Sequence, residues 1–143
     1  MYYDSKDLDK FVSAQSRDYE TALREIRDGR KRSHWMWYIF PQLQGLGFSQ
    51  TAQYYGIRDL EQAKDYMEHP ILGPRLVEIS EALMGLRISN PGVVMGYPDD
   101  LKLCSCMTLF ELAAPDQPVF GQVIDKFFGG RRDRITLELL GLR

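Results

Sequence analysis

The sequence predicts an all-α fold: one compact multihelical domain, spanning 1–143, with about seven helices around a buried helix that follows Asp99. Three observations predict it. Apolar residues recur at helical spacings of three and four, with almost no alternation of period two. Ser and Asp stand at segment starts, and Gly or Pro at their ends, as helix caps and stops require. One segment, after Asp99, is apolar around nearly its whole circumference, the mark of a central helix.

The elements follow in order. Leu8, Phe11, Val12, Tyr19, Leu23 and Ile26 mark one long amphipathic helix from near Asp7 to Asp28, with Asp4 or Ser5 as cap and Gly29 as the residue that ends it. Ser33 can cap a short aromatic helix that Pro41 stops; a buried strand is the alternative for Trp35–Phe40. Ser49 and Asp59 cap two further helices, ending at Gly56 and near His69-Pro70. Leu72, Leu76, Ile79, Leu83 and Leu86 mark the next, with Gly73-Pro74 in its first turn. Asn90-Pro91-Gly92 reads as a loop, and Val93-Val94-Met95 as the one candidate strand outside the aromatic run. Asp99 caps the central helix, which runs to about Ala114; Asp116 and Pro118 start a helix ending at Gly129-Gly130, and Asp133 caps the last.

On the central helix, Lys102, Ser105, Thr108 and Glu111 recur every third residue as one narrow polar stripe. Lysine is rarely buried without a partner, so the stripe is either the helix's solvent edge or the lining of a polar cavity. Cys104 and Cys106, two apart on a helix, point to nearly opposite sides and cannot easily pair. They are read as reduced, which fits a cytoplasmic protein.

Composition narrows the function classes. The 143 residues suit one domain, and 44% hydrophobic content is ordinary for a globular chain. With 18 basic and 20 acidic residues the net charge is −2, so no global field favours nucleic acid. The basic residues around Arg30-Lys31-Arg32 are diluted by Glu25 and Asp28, and read as a solvated face. No apolar run approaches the roughly 18 residues of a membrane span, and the first residues lack the apolar stretch of a signal peptide. Two histidines, with no paired Cys-x-x-Cys or His-x-x-x-His, argue against a metal site. No phosphate loop, dinucleotide fingerprint or nucleophile elbow is present, so no cofactor is expected.

The stretch Ser33-His34-Trp35-Met36-Trp37-Tyr38-Ile39-Phe40-Pro41-Gln42-Leu43 holds both tryptophans and one of the two histidines. Aromatics carry the largest buried area per residue, and Trp also needs a partner for its N–H. The segment is therefore core or the wall of a pocket. His34 can serve as acid, base or donor, and Gln42 and Gln15 offer amides. Lys102 and the basic run can meet an anion, and Asp99 or Asp100 can supply a carboxylate. His34, Trp37, Gln42 and Lys102 are expected to line one pocket, with Gln15 and Tyr19 as further candidates. A small ligand with a flat ring and an anionic group, such as a nucleotide derivative, would suit such a set. The alternative is a non-catalytic interaction or structural module whose aromatic block is only core. Convergence of His34, Gln42 and Lys102 on a solvent-reachable hollow discriminates between the two.

The chain resembles the family known as domain of unknown function 1810. The resemblance is carried by Phe11-x-x-Ala14-Gln15, Tyr19 with Ala22-Leu23, the run Gly29 to Leu43, and Gly45-Leu46-Gly47-x-Ser49. Tyr55-Gly56-Ile57, His69-Pro70-x-Leu72-Gly73-x-Arg75-Leu76, Pro98-Asp99-Asp100-x-Lys102, Met107-Thr108-Leu109-Phe110 and Phe128-Gly129-Gly130 complete it. It implies a small, all-helical, single-domain microbial protein, and brings no established activity or catalytic residues. Where such proteins usually show Ser-Ser-Met-Thr, this chain has Cys104-Ser105-Cys106-Met107-Thr108, so only Ser105 remains beside Thr108.

Overall fold

The computed structural model describes residues 6–142. The expected caps Asp4 and Ser5 lie outside them. The described residues form nine helices: α1 (Lys6–Arg27), α2 (Met36–Ile39), α3 (Gln50–Tyr55), α4 (Leu60–Glu68), α5 (Leu72–Met84), α6 (Pro91–Met95), α7 (Asp99–Ala113), α8 (Val119–Phe128) and α9 (Arg134–Leu139). The all-α expectation holds. The count exceeds seven because four of these helices have six residues or fewer, too short for periodicity to define.

α1 buries Leu8, Phe11, Ala14, Tyr19, Ala22, Leu23 and Ile26 along one face. Gly29 ends it in the left-handed region, at φ +81°. There Gly29 N–H returns to Ile26 O and Arg30 N–H to Glu25 O, a closure that satisfies two of the helix's last carbonyls. Ser49, Asp59 and Asp133 cap α3, α4 and α9 as expected, each accepting a backbone N–H three residues on.

Three local expectations are corrected. Ser33 does not cap α2: Trp35 occupies the cap position without a side-chain bond, and the Ser33 hydroxyl donates to the Glu25 carboxylate, a stronger acceptor. Val93-Val94-Met95 is helix α6 rather than strand, because Asn90 accepts from Gly92 and Val93 N–H and Pro91 starts the first turn. Asp99 is not the cap of α7: Pro98 stands there, and the Asp99 carboxylate instead pairs with Lys31 at 2.9 Å and Lys102 at 3.4 Å.

α7 is the centre of the molecule, packing against α4, α6, α8 and α9. Leu103, Cys106, Met107, Leu109 and Phe110 on it are fully buried. Aromatic contacts run through this core from α1 to α8: Phe11 to Tyr66 at 5.4 Å, Tyr66 to Phe110 at 5.1 Å, and Phe110 to Phe120 at 6.1 Å between centroids. Its polar stripe is largely covered by the segment leading into α9, with Lys102 and Ser105 also lining a surface hollow. Ser105 donates to Asp133 Oδ2, Thr108 accepts from Asp133 N–H, and Glu111 holds Arg132 in a two-point ion pair. The stripe is the seat of the segment leading into α9.

Two close approaches fix how the pieces meet. A side-chain carbon at Gly73 would lie 2.1 Å from the Met67 carbonyl oxygen, so only glycine lets α5 begin against the end of α4. Gln44 N–H bonds Ile57 O and Ile57 N–H bonds Gln42 O, one parallel bridge that closes the excursion carrying α3. Among the described residues no helix is long and apolar enough to cross a membrane.

Candidate functional site

The two tryptophans have opposite fates. Trp35 is buried, and its indole N–H donates to Glu25 Oε1 at 2.9 Å. Glu25 also accepts from the Arg32 and Ser33 backbone N–H groups and from the Ser33 hydroxyl. Burial pushes its carboxyl up, but these four hydrogen bonds outweigh it and hold the group at about 2. The carboxylate thereby fixes the loop that carries Lys31 and His34. Trp37, two residues on, is only half-buried, and its N–H has no hydrogen-bond partner among the described residues. The Lys102 ammonium lies 5.5 Å from its ring centroid.

Trp37 stands between two surface hollows. The smaller, about 360 Å³, is lined by the loop from Lys31 to His34 on one side and by Tyr97, Pro98 and Asp99 on the other. The larger, about 800 Å³, lies between the Gln42–Gly47 loop, the start of α7 and the segment from Phe127 to Ile135. A neck of about 10 Å³ lined by Trp37, Gln42, Lys102 and Tyr55 adjoins both: it shares Met36 and Trp37 with the smaller hollow, and Gln42 and Lys102 with the larger. Gly47 sets the width here, because a side-chain carbon on it would meet Ala52 Cβ at 2.6 Å and the Gln42 amide nitrogen at 3.5 Å.

The electrostatics of the neck turn on Asp99. Its two oxygens face Lys31 Nζ and Lys102 Nζ, joining the loop after α1 to the first turn of α7. Lys31 has only 8% of its side chain exposed and also sits 4.9 Å from the Trp35 ring centroid, so its charge is committed inward. Lys102 keeps 27% exposure beside Trp37 and retains access to the hollow.

Of the six candidates, the structure brings Trp37, Gln42 and Lys102 to one neck and places His34 in the adjoining hollow. The Gln42 amide and the His34 imidazole, like the Trp37 N–H, have no side-chain hydrogen bond among the described residues. Gln15 and Tyr19 lie elsewhere, between α1, α4 and α5. Gln15 donates to Tyr38 O and Tyr66 Oη, and Tyr19 bonds Glu78 and Arg75 O. Both are satisfied within the fold, by partners 23 to 59 residues away in the chain. Sequence reasoning missed Tyr97 and the role of Arg131 and Arg134 in the larger hollow's rim. The run Arg131-Arg132-Asp133-Arg134 stands plainly in the sequence, but not which of its cations folding would neutralise. No group of three or more His, Cys, Asp or Glu positioned to hold a metal occurs among the described residues.

These features define a small all-helical domain with two neighbouring surface hollows and no metal-type cluster among the described residues. The chain belongs to the family described as protein of unknown function DUF1810, whose model matches residues 5–140. It is similar to the conserved hypothetical protein Rv1873 from Mycobacterium tuberculosis, known from a crystal structure: 46% identity, 98% of this chain and 100% of that chain covered, TM-score 0.94. No curated protein matches the sequence.

Proposed function

We propose that this domain binds a small metabolite with a flat ring and an anionic group, of the nucleotide type, in the hollows on either side of the narrow junction formed by Trp37, Gln42 and Lys102, with His34 on the wall of the smaller hollow. One observation carries the reading. The polar groups of the core, Trp35, Gln15, Tyr19 and Tyr38, are all paired inside the protein, whereas Trp37, Gln42 and His34, in neighbouring hollows, have side-chain polar atoms without a hydrogen-bond partner among the described residues. Apolar walls with a few convergent, unspent polar groups are the general form of a ligand site. Trp37 would take the ring by stacking, Lys102 the negative charge, and the Gln42 amide a ring or sugar hydroxyl. His34 is the group able to exchange a proton if the bound molecule is also transformed. Free thiols at Cys104 and Cys106 support a cytoplasmic setting.

The test is thermal stabilisation by a panel of nucleosides, nucleotides and sugar phosphates. Stabilisation of the wild type, lost in His34→Ala or Lys102→Ala proteins that remain folded, supports the reading. No stabilisation by any member removes it. The second reading, an interaction module, then stands, and it has its own support: Phe48 and Tyr97 are 86% and 82% exposed, large apolar surfaces suited to a protein partner.

A further inference from the structure

We infer that the ligand's anionic end lies in the larger hollow, against Arg131 and Arg134, and that the ring end sits at Trp37, so the substrate class is a nucleoside carrying an extended phosphate chain. The inference rests on the reading of the neck given above and adds a direction and an anion site to it.

The charges decide the direction. On the side of the smaller hollow the buried cation is spent, since Lys31 is held by Asp99 and the Ser33 carbonyl; Arg32, like Arg134, has one exposed acidic neighbour at 3.5 Å. The larger hollow is lined by Lys102, Arg131, Arg132 and Arg134 against two carboxylates, Asp100 and Asp133. Asp133 has its Oδ2 taken by Ser105 and Thr136 at the start of α9 and keeps its charge, so the four cations of the lining still outnumber its two carboxylates. Arg132 is spent, held by Glu111 and by Asp125 at 3.6 Å. Arg131 has no ion pair among the described residues. Arg134, with 85% of its side chain exposed, touches only Glu138 at 3.5 Å. Arginine is suited to phosphate because its planar fork donates two parallel hydrogen bonds to two oxygens. Lys102 stands at the junction, shared between neck and hollow. A ring on Trp37 thus places its first phosphate near Lys102 and later ones toward the arginines. The hollow's volume of about 800 Å³ leaves room for such a chain.

The experiment compares adenosine, ADP and inorganic pyrophosphate by calorimetry on the wild type, the double variant Arg131→Ala/Arg134→Ala, and Trp37→Ala. Both arginine side chains are exposed, so the double variant folds, which circular dichroism verifies. The expected result is that ADP binds at least about tenfold tighter than adenosine, as one or two charged hydrogen bonds provide. In the double variant ADP loses most of its advantage, keeping only what Lys102 gives the first phosphate, while adenosine is unchanged; Trp37→Ala weakens both. If ADP keeps its advantage in the double variant, or has none in the wild type while adenosine binds, the anion site is wrong and the ring site stands. Pyrophosphate binding that is unaffected by the double variant also overturns it. If neither adenosine nor ADP binds, both readings fall together.

Discussion

The indole N–H of Trp35 reaches the carboxylate of Glu25 at 2.9 Å, and both groups are buried. No cation pairs with Glu25 among the described residues; neutral donors supply all its hydrogen bonds. A buried carboxylate costs several kcal/mol unless its oxygens are saturated. Here the saturation comes from a single loop, Arg32 to Trp35, folded back onto α1. Glu25 therefore holds in place the segment that presents Lys31, His34 and, through α2, Trp37.

Replacing that carboxylate should be felt throughout the site. Glu25→Gln keeps the shape but turns one acceptor oxygen into an NH2 group facing other donors. A loss of about 2–4 kcal/mol is expected. Urea unfolding followed by tryptophan fluorescence measures it directly. A change below about 0.5 kcal/mol would show that the four bonds are not formed together.

Acid should act on the same group. Its folded value of about 2 lies below the ordinary 4.5, so the stabilisation is present above the unfolded value and is lost as pH falls through the folded one. The shift corresponds to an order of 3 kcal/mol. Stability of the wild type should therefore fall between about pH 5 and pH 2, and Glu25→Gln should flatten much of that slope. Parallel acid titrations of the two proteins would exclude Glu25 as the source.

The fold was readable because its signals are local. The face of α1 from Leu8 to Ile26, the caps Ser49, Asp59 and Asp133, and the apolar circumference of α7 all act over one or two helical turns. The misreadings came where a long-range partner outbid the local one. Ser33 and Asp99 look like caps, but Glu25 and the lysines offered charged partners. The site was half legible for the same reason. Trp37, Gln42 and Lys102 interrupt apolar surroundings, and that contrast survives folding. Gln15 makes the same contrast, yet Tyr66 and Tyr38, 51 and 23 residues away, satisfy it. Nothing in the spacing distinguishes a satisfied polar group from a free one.

Lys126 should prove a stabilising residue despite its charge. Its ammonium donates to the carbonyls of Leu83, Met84 and Leu86, where α5 ends and the chain turns away. Lys126→Met keeps the apolar stem and removes the donors. A loss of about 1–3 kcal/mol is expected, seen as a lower melting temperature with helix content otherwise retained. An unchanged melting temperature would mean that water satisfies these carbonyls equally well.

The cysteines should resist modification in the folded state. Cys106 is fully buried; Cys104 is partly covered and donates to Arg131 O at 3.4 Å. Burial first, and then the Asp133 charge, push the Cys104 thiol up to about 11. At neutral pH that leaves about 100-fold less thiolate than an ordinary cysteine, and the thiolate is the reactive form. A disulfide-exchange reagent should label both slowly in buffer and rapidly in denaturant. Fast labelling of Cys104 in the native protein would contradict the packing of the Arg131 segment over α7.

The sharpest comparison sets the two tryptophans against each other. Trp35 is core: its ring lies 6.2 Å from that of Phe40, carries Lys31 on one face and has its N–H on Glu25. Trp35→Ala opens a large cavity and strands a buried carboxylate, for an expected loss of about 3–5 kcal/mol. Trp37 is half-buried, with no hydrogen-bond partner for its N–H among the described residues and a cation–π contact to Lys102. Trp37→Ala should cost less, about 2 kcal/mol, since the ring is only partly covered where it packs on the core and adds one surface cation–π contact. The ligand response should run the other way. Trp37→Ala should lose stabilisation by nucleotides while keeping its fold, and a mild Trp35 variant, Trp35→Phe, should keep the response at reduced stability. Equal destabilisation by the two alanine variants would make Trp37 a core residue, and the groove would lose its wall.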